Sequence, residues 1–139
     1  MRWASAHSTL ADPAAAAGEV ATALCSALGD DPVDLVLAFF TAPLAAGAET
    51  MAAALRSALS PGTLAGVSAR GVVTRSRELE EGAALSVVAG RLPGVQVRPF
   101  LLLQETWREP SADEAAFDLI APGVRGAELV LYAGDPYSL

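Results

Sequence analysis

The chain has 139 residues, 53% of them hydrophobic, and its nine basic and sixteen acidic side chains give a net charge of −7. This length suits one domain with a buried core, so we expect residues 1–139 to form a single domain. The negative charge argues against nucleic acid and anionic membrane surfaces as partners, and no apolar run approaches the roughly 20 residues that span a bilayer.

The first segment of the chain predicts a strand followed by a helix. Trp3 to Ser8 alternate loosely, as a strand does. Asp12 before Pro13 is typical of a capped helix start, and Gly29 supplies a stop. Residues at three- and four-residue spacing predict one apolar helix face: Val20, Leu24 and Leu28, beside Ala16, Ala17, Ala23 and Ala27. The opening residues lack the pattern of a secretory signal, so we expect a cytoplasmic protein.

A second strand and helix follow. Residues 33–40 are a nearly continuous apolar run, the pattern of a central strand covered on both faces. Residues 41–47 are expected to be a connecting loop. The second helix is predicted to end before Ser60-Pro61-Gly62, and its apolar residues are Met51, Leu55, Ala58 and Leu59.

The rest of the chain favours strands. We predict them over residues 63–68, 71–74, 83–89 and 127–133, a turn at Leu92-Pro93-Gly94, and an extended segment over 95–104. Helices early and strands later indicate an α/β fold, with a mixed sheet and two early helices packed on it. Two helices are too few to cover both faces of about six strands, and the chain ends shortly after the last predicted strand. We therefore expect an incomplete domain.

The chain has few of the residues that commonly act in catalysis or bind metals. With one histidine, His7, and one cysteine, Cys25, a zinc site of usual composition cannot be built, and we expect neither a metal nor a cofactor. Gly66 and Gly71 have the spacing of a phosphate loop, but Val72 and Val73 stand where that loop needs Lys and then Ser or Thr. No serine hydrolase motif surrounds Ser68.

The charged residues after Gly66 allow two interpretations. The arginines at 70, 75 and 77 precede glutamates at 78, 80 and 81, which is typical of a solvent-facing hairpin with compensated charges. Alternatively, Arg70 beside Gly71 directs its guanidinium to a ligand carboxylate, which arginine can hold through two parallel hydrogen bonds.

Several segments, in this order, resemble one known family. They are the capped alanine-rich helix within 6–28, Asp34-Leu35-Val36-Leu37-Ala38-Phe39-Phe40, the turn over 66–73, residues 80–87, Leu92-Pro93-Gly94 and Asp135-Pro136-Tyr137-Ser138. Together they resemble the N-terminal part of the FIST domain. In that family the turn reads Gly, small, Ser, one or two small residues, Gly and an aliphatic residue. Gly66, Ser68, Gly71 and Val72 match this pattern, whereas Arg70 stands where a small residue is usual.

The resemblance implies an intracellular sensory module of signal-transduction proteins that binds small polar molecules such as amino acids. It also implies a C-terminal FIST-like domain or signalling partner, so that this chain is about half of the sensor. The ligand is expected between the 66–71 turn and the strand ends. The expected ligand-binding residues are Gly66, Ser68, Arg70 and Gly71, with Asp135 and Tyr137 added by analogy to the family.

Two other functions stay open on the sequence. One is an interaction or scaffold domain, in which another domain or another copy covers an apolar sheet face. The other is an enzyme of unidentified chemistry, which we do not favour because no catalytic triad, metal set or phosphate loop is evident.

Overall fold

The computed structural model describes residues 1–29, 31–101, 121 and 123–134. The chain divides into two compact units, Met1–Val97 and Arg98–Leu139. The first unit holds both α-helices and all the strands among the described residues. It therefore carries the α/β fold that the sequence predicts.

The first helix, α1, spans Pro13–Leu28 and begins and ends as predicted. The side chain of Asp12 accepts a hydrogen bond from the amide of Ala15 at 2.7 Å, so a free amide of the first turn is paired. Gly29 has φ of 83°, a conformation that favours glycine, and its amide donates to the carbonyl of Cys25. Of the predicted apolar face, Ala23 and Ala27 are exposed, and the other members are buried.

Four strands form the main sheet: β1 (Arg2–Ser8), β2 (Leu35–Thr41), β3 (Thr63–Ala69) and β6 (Leu85–Arg91). Their order across the sheet is β1-β6-β2-β3. β6 pairs antiparallel with both β1 and β2, whereas β2 and β3 are parallel. β1, β2 and β3 therefore run in the same direction, and the sheet is mixed, as predicted. β2 is a central strand, which explains its continuous apolar run.

Both helices pack on one face of this sheet. A 3₁₀ helix, Ala42–Gly47, replaces the predicted loop after β2 and leads into α2, Ala48–Leu59. Met51, Leu55 and Leu59 of α2 are buried, but Ala58 is exposed. The core between the helices and the sheet includes Val20, Leu24 and Leu28 of α1 and, from the sheet, Val36, Ala38, Leu85, Val87 and Ala89.

A short hairpin lies on the other face of the sheet. β4 (Val72–Val73) pairs with β5 (Glu78–Leu79), and the hydroxyl of Ser86 donates to the carbonyl of Val73 at 3.2 Å. Its flanking residues Arg75, Arg77 and Glu80 are exposed, so the predicted solvent-facing hairpin is confirmed. At the sheet's outer end, Trp3 remains 51% exposed and its ring lies against Gly90, whose lack of a side chain makes room for it.

One prediction for the later chain differs from the structure. The turn at 92–94 is present, with Gly94 at φ of 82° and the amide of Val95 bonded to the carbonyl of Leu92. Residues 95–101, the described part of the predicted extended segment, contain neither helix nor strand. Residues 127–133, where a last strand was predicted, form no strand. Leu129 is 75% exposed and Leu131 59% exposed. An apolar run becomes a strand only where a partner pairs with it, and no described strand pairs with this run.

Candidate functional site

The carboxyl ends of β1, β2 and β3 meet at one edge of the sheet, which we call the carboxyl edge. Across the register, Ser8 of β1 stands opposite Leu85, which stands opposite Phe40, which stands opposite Ser68 of β3. Ligands of open α/β sheets commonly bind outside such strand ends, where loops and helix starts supply polar groups. The predicted site lies at the β3 end of this edge.

The polar groups near β1 and β2 at this edge already have partners. The hydroxyl of Ser8 donates to a carboxylate oxygen of Glu19 and accepts from the amide of Leu10. The hydroxyl of Thr41 donates to the carbonyl of Gly82 at 2.8 Å and accepts from the amide of Ala84 at 2.9 Å. Both side chains are buried. They hold loops to the sheet and are not available to a ligand.

Gly66 and Ser68 lie within β3, which continues through the segment predicted as a turn. Both are exposed and share the face on which the helices pack, since Gly66 pairs with Ala38 and Ser68 with Phe40. A side chain at Gly66 would come within 3.1 Å of the carbonyl oxygen of Ala38. Close approach to β2, and not a bend, therefore explains the glycine at this position.

The backbone groups of Gly66 and Ser68 point away from β2. The amide of Thr63 donates to the carbonyl of Asp34 at 2.9 Å, and alternate residues of a strand direct their polar groups to the same side. Thr63, Ala65 and Val67 thus bond to β2. The amides and carbonyls at 64, 66 and 68 face the outer side of β3, which is the edge strand of the described sheet.

The bend itself is confined to Arg70 and Gly71. Gly71 packs against the hairpin, since a side chain there would meet the carbonyl oxygen of Leu79 at 3.2 Å and Cα of Glu80 at 3.3 Å. The guanidinium of Arg70 is exposed and makes no hydrogen bond or ion pair with a described residue. Ser68 and Arg70 are thus both exposed and lie two positions apart in the chain. Ser68 is near the end of β3, and Arg70 directly follows the strand.

The remaining predicted site residues, Asp135 and Tyr137, lie outside the described residues. His7 is on the opposite face of the sheet from Ser8, with its Nε2 3.5 Å from a guanidinium nitrogen of Arg77 on the hairpin. Within the described ranges, no three His, Cys, Asp or Glu side chains cluster as metal ligands would.

An open groove of about 490 Å³ lies between α1 and α2, and none of the four described site residues, Gly66, Ser68, Arg70 and Gly71, lines it. The residues that line this groove are small, and they are Gly18, Ala21, Thr22, Cys25, Ser26, Ala54 and Ala58. Cys25 is half-buried there, with its sulfur 3.7 Å from the carbonyl oxygen of Ala58. The lining carries no charged group.

The opposite end of the sheet, its amino edge, carries an arginine cluster that the sequence did not reveal. Arg91 at the end of β6 donates to the carbonyl of Gly29 at 3.2 Å and of Asp31 at 2.6 Å, and pairs with the Asp31 carboxylate at 3.0 Å. Arg2, opposite Arg91 in the register, donates to the carbonyl of Ala27 at 2.8 Å. These guanidiniums pair carbonyls at the end of α1 that the helix leaves free.

Comparisons with known proteins returned no match: no family model, no curated protein and no solved structure is similar to this chain. The resemblance to the FIST domain therefore stays a prediction that rests on the sequence segments. Among the described residues, no helix has the length and apolar character needed to cross a membrane.

Proposed function

We propose that this chain is a sensory module that binds a small polar ligand with a carboxylate, such as an amino acid, at the end of β3. The site consists of the Ser68 hydroxyl and the Arg70 guanidinium, beside the exposed Gly66. The FIST resemblance gives the cellular role, which is intracellular signal transduction in the cytoplasm through a downstream domain or partner. Binding, not catalysis, is the proposed activity.

One observation carries this proposal. Of the polar side chains described at the carboxyl edge, Ser8 and Thr41 are buried and fully engaged, whereas Ser68 and Arg70 are exposed and make no hydrogen bond with a described residue. A planar guanidinium can hold a carboxylate through two parallel hydrogen bonds, and a neighbouring hydroxyl can donate or accept a third.

The chemistry around these two groups also sets the ligand class. The chain is acidic overall, so a multiply charged anion meets general repulsion, whereas a zwitterion or a single carboxylate meets little. Gly66 and Ser68 are both exposed, so no bulky side chain covers this part of β3, and a compact ligand can reach the hydroxyl. An amino acid or a short hydroxy acid satisfies both conditions.

The test is a thermal unfolding screen of the full chain against amino acids and small carboxylates, because a ligand that binds only the folded state raises Tm with its occupancy. For any ligand that does so, titration calorimetry should show Ser68→Ala weakening binding by about 0.5–1.5 kcal/mol. Arg70→Ala should weaken it about tenfold or more, since it removes a charge-assisted pair of hydrogen bonds.

Arg75→Ala is the matched control. Arg75 is also exposed and also a neighbour of β4, but it lies on the hairpin and not at the end of β3. Its removal should leave affinity unchanged. If no compound in the panel raises Tm, or if Arg70→Ala binds as tightly as the unaltered chain, the proposed site is wrong.

A further inference from the structure

Among the described residues, no strand pairs with the outer side of β3, which forms an edge of the main sheet. β3 has seven residues, Thr63–Ala69, and contains no charged side chain and no proline. Its outer backbone groups, at 64, 66 and 68, have no partner strand in the described sheet, and Ala65, Gly66 and Ser68 are exposed. Soluble proteins usually protect such edges with charge, proline or a bulge, because an open ladder recruits another strand.

We propose that β3 pairs antiparallel with β3 of a second copy of this chain, forming a two-fold dimer with one continuous sheet. Four strands from each copy give eight in all. With the two-fold axis at Gly66, the middle residue of β3, Leu64 stands opposite Ser68 of the other copy and the two Gly66 residues face each other. The pairs at 64, 66 and 68 then exchange about six backbone hydrogen bonds.

Helix α2 supplies an independent reason for choosing a second copy as the partner. Because α2 is the crossover between the adjacent parallel strands β2 and β3, we take its axis to be centred between them. Strands are about 4.8 Å apart, so the axis of α2 lies about 4.8 Å from the proposed two-fold axis, and the two α2 helices lie about 10 Å apart. Packed helices have axes about 8–10 Å apart. Edge pairing thus brings the two α2 helices into contact.

The facing sides of α2 are complementary in charge. Ala54 and Ala58 face α1 across the groove, and Met51, Leu55 and Leu59 are buried. Glu49, Ala52 and Arg56 follow at three- and four-residue spacing and form a stripe on the side of α2 away from α1. In antiparallel α2 helices, Glu49 of each copy stands beside Arg56 of the other, and the small Ala52 lies near the axis.

Glu49 and Arg56 are otherwise unused. They are the charged residues of the first and last turns of α2, both are exposed, and neither forms an ion pair with a described residue. A stripe with one acid and one base at its two ends complements itself under two-fold symmetry. The dimer places Ser68 opposite Leu64 of the other copy, so it adjoins the proposed ligand site. Its test measures association of the chain without ligand and therefore stands apart from the ligand test.

Sedimentation velocity of the full chain over a range of concentrations tests the dimer. The unaltered chain should associate reversibly to twice its mass. E49R and R56E should each weaken association at least about tenfold, because each places like charges against one another twice. Mixing E49R with R56E chains should restore association as a heterodimer, because unlike charges then face each other in both contacts.

A backbone variant tests the strand pairing separately. Ser68→Pro removes an outward amide and leaves the bonds to β2 intact, so it should abolish association. Ser68→Ala keeps the amide and should associate normally. If Ser68→Pro fails to fold by circular dichroism, the charge-reversal pair still decides the proposal. A chain that stays monomeric at every concentration, or charge-reversal variants that associate like the unaltered chain, would overturn it.

Discussion

Arg91 and Arg70 both follow or end a strand of the main sheet, but the structure uses them in opposite ways. Arg91, at the amino edge, is only 18% exposed and donates to two carbonyls and a carboxylate. Arg70, at the carboxyl edge, is exposed and has no described partner. The contrast shows that an arginine's partners, more than its position at a strand end, separate a fold-stabilising role from a proposed binding role.

Removing the engaged arginine should have the largest effect. Arg91→Ala removes the bonds that hold Gly29 and Asp31 to the sheet and leaves their carbonyls without a donor. We expect the free energy of unfolding to fall by about 2–3 kcal/mol, measured by urea denaturation.

Asp31→Asn is the control for this change, because it removes only the charge of the ion pair. The Asp31 side chain is 87% exposed, so solvent screens the pair and the loss should be at most about 1 kcal/mol. A larger loss in Asp31→Asn than in Arg91→Ala would show that the charge, and not the bonds to carbonyls, stabilises this end of the sheet.

Replacing Arg91 by lysine should lower the free energy of unfolding by less than replacing it by alanine. Arg91→Lys keeps the charge but replaces the planar fork, so one ammonium cannot reproduce bonds to both carbonyls. It also removes the buried Nε of Arg91, which has no partner among the described residues. We expect a loss of about 1 kcal/mol in the same urea experiment. A loss as large as that of Arg91→Ala would show that fork geometry accounts for the whole contribution.

The sequence was sufficient to predict the elements whose signals are local. Asp12-Pro13 and Gly29 predicted both ends of α1, and the apolar run before Thr41 predicted the central strand. These signals depend on caps, backbone conformation and burial pattern, which neighbouring residues determine. The α/β class with a mixed sheet and two packed helices followed from them and is confirmed.

Features that depend on distant residues were not predictable in the same way. The insertion of β6 between β1 and β2 rests on pairings between residues far apart in the chain, such as Ser8 with Leu85 and Leu35 with Gly90, which one sequence does not specify. The run over 127–133 has the apolar content of a strand but pairs with no described one. Gly66 suggested a turn, yet its reason is contact with Ala38 on the next strand. The arginine cluster was missed because most of its acceptors are backbone carbonyls.

Removing the unengaged arginine should have the smallest effect on folding. Arg70→Ala deletes an exposed side chain that has no described partner, so the free energy of unfolding should change by less than about 0.5 kcal/mol. The urea experiment that detects Arg91→Ala checks this, with Arg75→Ala as the control for loss of an exposed positive charge. A loss above about 1 kcal/mol confined to Arg70→Ala would mean that Arg70 stabilises the fold. The contrast with Arg91 would then disappear, and a weaker ligand affinity in that variant would no longer indicate a direct contact.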